Sequence, residues 1–165
     1  TGVWKGFKDF KETGLIDRLP RLIAVQSDQS SAVVDAILGE CEIIPVKATT
    51  LADSISVDLP RDGLGAVQAV RESNGAGILV SDEEILAAIL VLARGSGVFA
   101  EPAGATAFAG LKKLRARSGI SDNEKTVCLV TGNGLKDVQS AIRAAGEPFR
   151  LDPNLDSLKE FLRKR

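Results

Sequence analysis

Cys128-Leu129-Val130-Thr131-Gly132-Asn133-Gly134-Leu135-Lys136-Asp137 is the stretch on which the reading of this chain turns. Val127 to Val130 are β-prone and apolar, as a parallel strand buried on both faces requires. Thr131 then falls at the carboxyl end of that strand, where open α/β sheets hold their ligands. Gly132 and Gly134 permit positive φ and close backbone approach, so the Thr131 hydroxyl and several N–H groups can converge on a small polar molecule. An ordinary strand-to-helix turn has the same spacing, and spacing alone does not separate the two.

Working outward, helical and strand patterns alternate. Val3, Trp4, Phe7 and Phe10 recur at helical spacing while lysines and acids take the other face, and Gly14 is placed to end that helix. Trp4 in such a stripe reads as core. Leu22 to Gln26 reads as a strand and Ser30 to Leu38 as a helix led by Asp28 or Ser30. Cys41 to Val46 suggests a short strand, but Pro45 and the mixed run to Pro60 make residues 41–60 the irregular segment. Gly63 to Ser73 reads as a helix ending at Asn74-Gly75, and Ala76 to Val80 as a strand. Ser81 and Glu84 have capping-box spacing at the head of an apolar helix that Gly95 would end. Val98 to Ala100 forms a short strand feeding Glu101-Pro102-Ala103-Gly104-Ala105, and Thr106 to Arg117 a further helix. Asp152-Pro153 sets an N-cap and first-turn proline for a C-terminal helix, within 150–165, whose Leu155, Leu158, Phe161 and Leu162 pack on the body. This rhythm implies one α/β domain over residues 1–165, a three-layer αβα arrangement around a mostly parallel sheet.

Composition bounds the function. The chain has 165 residues, 44% of them hydrophobic, enough to fill one core. Twenty-one basic and 22 acidic residues leave a net charge of −1, so no positive field exists to hold nucleic acid. No apolar run approaches the roughly 20 residues of a membrane span, and a soluble cytoplasmic protein is expected. Histidine and tyrosine are absent, which removes Ser-His-Asp triads, Cys-His pairs and histidine zinc sites. Cys41 and Cys128 lack the spacing of a metal knuckle or redox pair, and no metal is expected.

The wording of the opening stretch adds what its spacing lacks. Thr131-Gly132-Asn133-Gly134-Leu135-Lys136-Asp137 resembles the TGHGLKD signature of threonine synthases, pyridoxal-phosphate enzymes of the tryptophan-synthase-β-like, fold type II family. Trp4 to Phe10 resembles the tryptophan-led helix that follows the family's phosphate loop. Ala69-Val70-Arg71-Glu72-Ser73-Asn74-Gly75, Val80 to Leu86, and Gly97-Val98-Phe99-Ala100-Glu101-Pro102-Ala103 resemble three more of its motifs, in the family's order. Asn133 stands where that family has histidine, Gly104 gives Glu-Pro-Ala-Gly-Ala as in the threonine dehydratase branch, and Val138 follows Asp137 where proline is common.

The resemblance implies roles. Thr131 would hydrogen-bond the pyridine nitrogen of pyridoxal 5'-phosphate. Gly132, Asn133 and Glu101 would lie at the same cofactor end, and Thr1 would be the tail of the phosphate loop. A second reading makes Glu101 a helix N-terminal charge stabilised by the dipole. The family's Schiff-base lysine lies upstream of the tryptophan-led helix, so no catalytic residue is expected here, and Lys136 reads as structural. With no methionine in the chain, we read it as a C-terminal piece, inactive alone, of an enzyme converting the amino-acid phosphate O-phosphohomoserine and water to threonine and phosphate. Serine or threonine dehydratase chemistry, or a non-catalytic metabolite-binding module, are the alternatives. A sheet separated from its neighbours would also expose apolar surface, so self-association or a homo-oligomer is expected.

Overall fold

In the computed structural model, which describes residues 1–146 and 148–164, the elements run α1 (Gly2–Glu12), β1 (Ile23–Ser27), α2 (Ala32–Leu38), a 3₁₀ turn (Asp53–Ile55), α3 (Gly63–Glu72), β2 (Ala76–Val80), α4 (Asp82–Ser96), α5 (Pro102–Ala116), a second 3₁₀ turn (Gly134–Lys136), α6 (Val138–Ala145) and α7 (Leu155–Arg163). β1 and β2 pair in parallel, from Ile23 opposite Ala76 to Ser27 opposite Val80.

The two faces of this sheet carry different layers. Alternation along a strand sends successive side chains to opposite faces. Gly77 faces α2, where a Cβ would come 2.9 Å from Val34 Cγ1. On the other face Ile78 and Val80 meet Ile85 and Ile89 of α4 and Ala105 and Ala109 of α5 in the main core. Gly110 lets α5 lie directly on Val25 of β1, since any Cβ there would overlap that valine's methyl groups. Helices α2 and α3 join through a smaller cluster of Val33, Ala36 and Val67. The expected three-layer α/β architecture with a parallel sheet is therefore present.

Local sequence accounts for several boundaries. Ser81 and Glu84 form the reciprocal capping box, with Glu84 N donating to Ser81 Oγ at 3.2 Å and Ser81 N to Glu84 Oε2 at 2.8 Å. α4 runs past Gly95 and stops at Gly97, whose φ of 72° is the left-handed conformation that ends helices. Gln26 caps α2 from the neighbouring strand, its Oε1 accepting from Val33 N and Val34 N, both at 2.9 Å. Ser30 is thereby released to tie down the irregular segment, donating to Ile55 O at 2.9 Å and accepting from Val57 N at 3.1 Å. α7 is capped by Asn154, whose Oδ1 accepts from Ser157 N at 2.8 Å, rather than by Asp152. Its Leu155, Leu158 and Leu162 are exposed. Trp4 is buried as expected, its Nε1 donating to Glu72 Oε2 at 2.6 Å.

Cys41 to Val46 is irregular, as Pro45 and the mixed run after it imply. Two expected strands are not formed. Val98 to Ala100 contributes one isolated antiparallel bridge, Ala100 with Asn133. Val127 to Val130 keeps the alternation of a strand without a partner: Cys128 and Val130 are half-buried while Val127 and Leu129 are 84% and 60% exposed. A strand is defined by its ladder, and none of the described residues pairs with this segment. Among the described residues, no helix is long and apolar enough to cross a membrane.

Candidate functional site

The segment after that unpaired run is held against the start of α5. Glu101 is the N-cap of α5 and Pro102 its first residue, the position where a missing N–H costs nothing. Glu101 N donates to Gly132 O at 3.0 Å and Gly134 N to Phe99 O at 2.9 Å, so residues 99–101 and 132–134 clasp one another.

Close approach explains the glycines of this clasp. Neither Gly132 nor Gly134 has positive φ, so of the two reasons expected for them only close approach applies. Any Cβ on Gly132 would overlap the carboxylate of Glu101, and any Cβ on Gly134 the ring of Phe99. Gly104, on the first turn of α5, would place a Cβ 3.1 Å from Gly132 O and 3.3 Å from Val130 Cγ1. Three glycines thus let two backbones and one carboxylate share a space that side chains would fill.

Glu101 is 6% exposed. Lys136 Nζ lies 3.4 Å from its Oε2 and donates to Ser54 Oγ at 3.1 Å. Lys136 is set in place by the 3₁₀ turn, which Asn133 begins by accepting from Leu135 N at 2.9 Å. Asp137 ends that turn and caps α6, its Oδ1 accepting from Ser140 N at 3.0 Å. Hydrogen bonding from Ser140 holds the Asp137 carboxyl below the ordinary aspartate value. Asp53, Ser54, Glu101, Pro102, Ala103, Lys136 and Asp137 line a cavity of about 180 Å³.

A second polar cluster sits at the carboxyl ends of β1 and β2. The buried carboxylate of Asp82 accepts from Ser27 Oγ at 3.2 Å, Thr50 Oγ1 at 2.5 Å, Leu51 N at 2.9 Å and Gln29 Nε2 at 3.4 Å. These bonds fix residues 49–52, and through them the Asp53–Ile55 turn that carries Ser54. The sequence reading identified neither Asp82 nor Ser54, which are linked to the site only by tertiary contact.

Of the five candidate residues, Glu101, Gly132 and Asn133 are brought together, and Thr131 adjoins them. Thr131 is exposed, and its hydroxyl makes no hydrogen bond with any described residue. A free hydroxyl of this kind can donate to a neutral ring nitrogen. Thr1 stands apart: it occupies the N-cap position of α1, without a side-chain capping bond, and abuts Gly65 of α3. With Asp53, Glu101 and Asp137 around the cavity, this corner suits an uncharged or cationic group and disfavours a phosphate. Among the described residues, no cluster of three or more His, Cys, Asp or Glu side chains could hold a metal ion.

Comparison with known proteins bears on the family and the fold. The sequence model of a pyridoxal-phosphate dependent enzyme family matches residues 1–132. A threonine synthase of Methanocaldococcus jannaschii is 41% identical over 166 residues, covering 99% of this chain and 41% of that protein. One from Methanosarcina acetivorans is 40% identical over 164 residues, covering 98% and 40%. The chain therefore spans about two-fifths of the length of the curated relatives it matches. Among solved structures, the processed form of threonine deaminase isoform 2 from Solanum lycopersicum aligns with a TM-score of 0.65 at 22% identity, covering 85% of this chain and 38% of that one. A fungal L-serine ammonia-lyase from Rhizomucor miehei gives 0.65 at 18%, covering 87% and 45%. At such identities the two structures bear on the fold alone.

Proposed function

The chain belongs to the pyridoxal-phosphate dependent enzyme family, and on that footing we propose that it is the C-terminal part of a threonine synthase. The intact enzyme would convert O-phosphohomoserine and water to threonine and phosphate. Support comes from about 40% identity with threonine synthases along nearly the whole chain. The observation that carries the reading is the Gly132–Glu101 clasp, which leaves the Thr131 hydroxyl uncommitted beside a neutralised carboxylate.

Pyridoxal phosphate, when bound, supplies a ring that withdraws electrons from the amino acid joined to it. Thr131 would hold the ring nitrogen by a neutral hydrogen bond. A hydroxyl would deliver no proton there, so the pull of the ring would be moderated and loss of a γ-substituent favoured over amino transfer. Glu101, paired with Lys136, supports the backbone at Gly132 without presenting a bare charge to the ring. Asn133 is committed by its Oδ1 to the 3₁₀ turn, leaving its NH₂ as a donor towards substrate. In the family this chain resembles, the phosphate cradle and the lysine that anchors the cofactor lie upstream of the tryptophan-led helix that α1 matches. Alone, the chain would be inactive and would self-associate through exposed side chains such as Val127, Leu129, Leu155 and Leu162. We place the intact protein in the cytoplasm.

Gly104 favours a second reading, a serine or threonine dehydratase, because glycine at that place is shared with that branch and admits a closer approach of Gly132. Product analysis separates the two. With O-phosphohomoserine, the full polypeptide should release phosphate and threonine in equal amounts. Ammonia released from serine or threonine, with O-phosphohomoserine untouched, would establish the dehydratase instead. Borohydride reduction of the isolated chain with pyridoxal phosphate should give no stoichiometric lysine adduct; one at Lys136 would contradict the assignment of the anchor.

A further inference from the structure

We propose that Lys136 is a positioning residue that acts through Glu101 to fix the backbone carrying Thr131. The argument begins with burial. A carboxylate as enclosed as that of Glu101 persists in its charged form only when it is paired or hydrogen-bonded. Lys136 Nζ is 3.4 Å away, and the lysine side chain is itself 66% exposed, so it reaches inward from the surface to the acid. Among the described residues lining the cavity, Lys136 is the only cation, against Asp53, Glu101 and Asp137.

The position of that carboxylate matters because it fills the space over Gly132. Glu101 grips Gly132 twice, through its backbone N–H to the Gly132 carbonyl at 3.0 Å and through its side chain packed where a Cβ would be. Thr131 is the next residue. Lys136 closes the arrangement by donating to Ser54 Oγ at 3.1 Å, which joins the clasp to the turn at 53–55. Without the ammonium, the Glu101 carboxylate swings into the adjoining cavity towards water. Its hold on Gly132 weakens, and the backbone carrying Thr131 is released. Glu101 and Ser54 are 35 and 82 residues from Lys136 in sequence, so folding alone creates the coupling.

This inference rests on the reading of Thr131 as the partner of the ring nitrogen, and the experiment separates the two. In the full polypeptide with pyridoxal phosphate bound, amide exchange is followed in peptides covering 99–104 and 130–136, together with the absorbance band of the cofactor. The variants are K136Q, K136R, E101Q, K136Q/E101Q and T131V. K136Q should accelerate exchange at both peptides by about tenfold, and K136R should stay within about twofold of the parent. Adding K136Q to E101Q should change little further, because the charge that Lys136 neutralises is already gone. The absorbance band of K136Q should move in the direction of T131V. Unchanged exchange in K136Q, or failure of arginine to restore it, overturns the inference. If T131V leaves the band unmoved while K136Q loosens both peptides, the assignment of Thr131 fails and only the coupling of Lys136 to the clasp is upheld. If T131V moves the band and K136Q does not, the assignment stands and the positioning role of Lys136 is refuted.

Discussion

The carboxylate of Glu101 occupies the volume that a side chain on Gly132 would need. Gly132→Ala therefore forces a choice between the methyl group and the acid. The obstructing atoms belong to a flexible side chain, so the protein should fold with Glu101 displaced, at a cost of about 1–3 kcal/mol. Urea unfolding measures it, and Glu101→Ala with Gly132→Ala should cost less than the sum of the two. Strict additivity would show that the two residues do not compete for this space.

Gly75→Ala should be worse. Its Cβ would overlap the carbonyl oxygen of Leu22 and come 2.9 Å from that of Val70. Both obstructions are backbone, at the point where β2 begins beside β1, and no rotamer relieves them. A loss of about 3 kcal/mol is expected, at the upper end of overpacking costs. A urea midpoint indistinguishable from the parent would contradict the close approach of these two strands.

Asp82 ties Ser27, Gln29, Thr50 and Leu51 to the head of α4. Asp82→Ala leaves several buried donors unpaired and should remove about 3 kcal/mol. Asp82→Asn retains one carbonyl oxygen for Leu51 N and Gln29 Nε2 and turns an amide towards the two hydroxyls, so its loss should be about 1 kcal/mol. Thermal unfolding of the pair tests the order; equal losses would mean that charge, rather than hydrogen bonding, is what the cluster requires.

Acid should loosen α6 first at its N-terminus. Hydrogen bonding from Ser140 lowers the Asp137 pKa in the fold, so the charged form is the stabilising one. Its contribution is complete above the unfolded aspartate value near 4 and is lost as pH falls through the lower folded value. Exchange of the Ser140 amide, corrected for intrinsic rate, should rise below about pH 4 in the parent. In Asp137→Asn, which caps without titrating, that rise should vanish. A rise of equal size in both proteins would assign it to another group.

How much of this was legible in the sequence depends on where each interaction reaches. Ser81 and Glu84, three residues apart, announced their capping box, and Asn74-Gly75 marked the entry to β2, because those signals are local. The end of α4 was misplaced from Gly97 to Gly95, since either glycine can stop a helix and only φ distinguishes them. Val127 to Val130 has the composition of a buried strand, but composition cannot supply a neighbouring strand to pair with it. In the candidate site, the meeting of Gly132 and Asn133 with Glu101 was legible only through the family resemblance, not through spacing. Ser54 carried no signal, because its role comes from a lysine 82 residues away. Of the two reasons that the sequence offers for glycine at 132 and 134, close approach holds and positive φ does not.

The most direct test of the account is the ¹⁵N chemical shift of ring-labelled pyridoxal phosphate bound to the full polypeptide, in the parent and in Thr131→Val. If Thr131 holds the nitrogen by a neutral hydrogen bond, the parent should give the signal of an unprotonated pyridine, displaced in Thr131→Val by loss of that bond. A protonated pyridinium signal in the parent, or a shift indifferent to Thr131→Val, would contradict it.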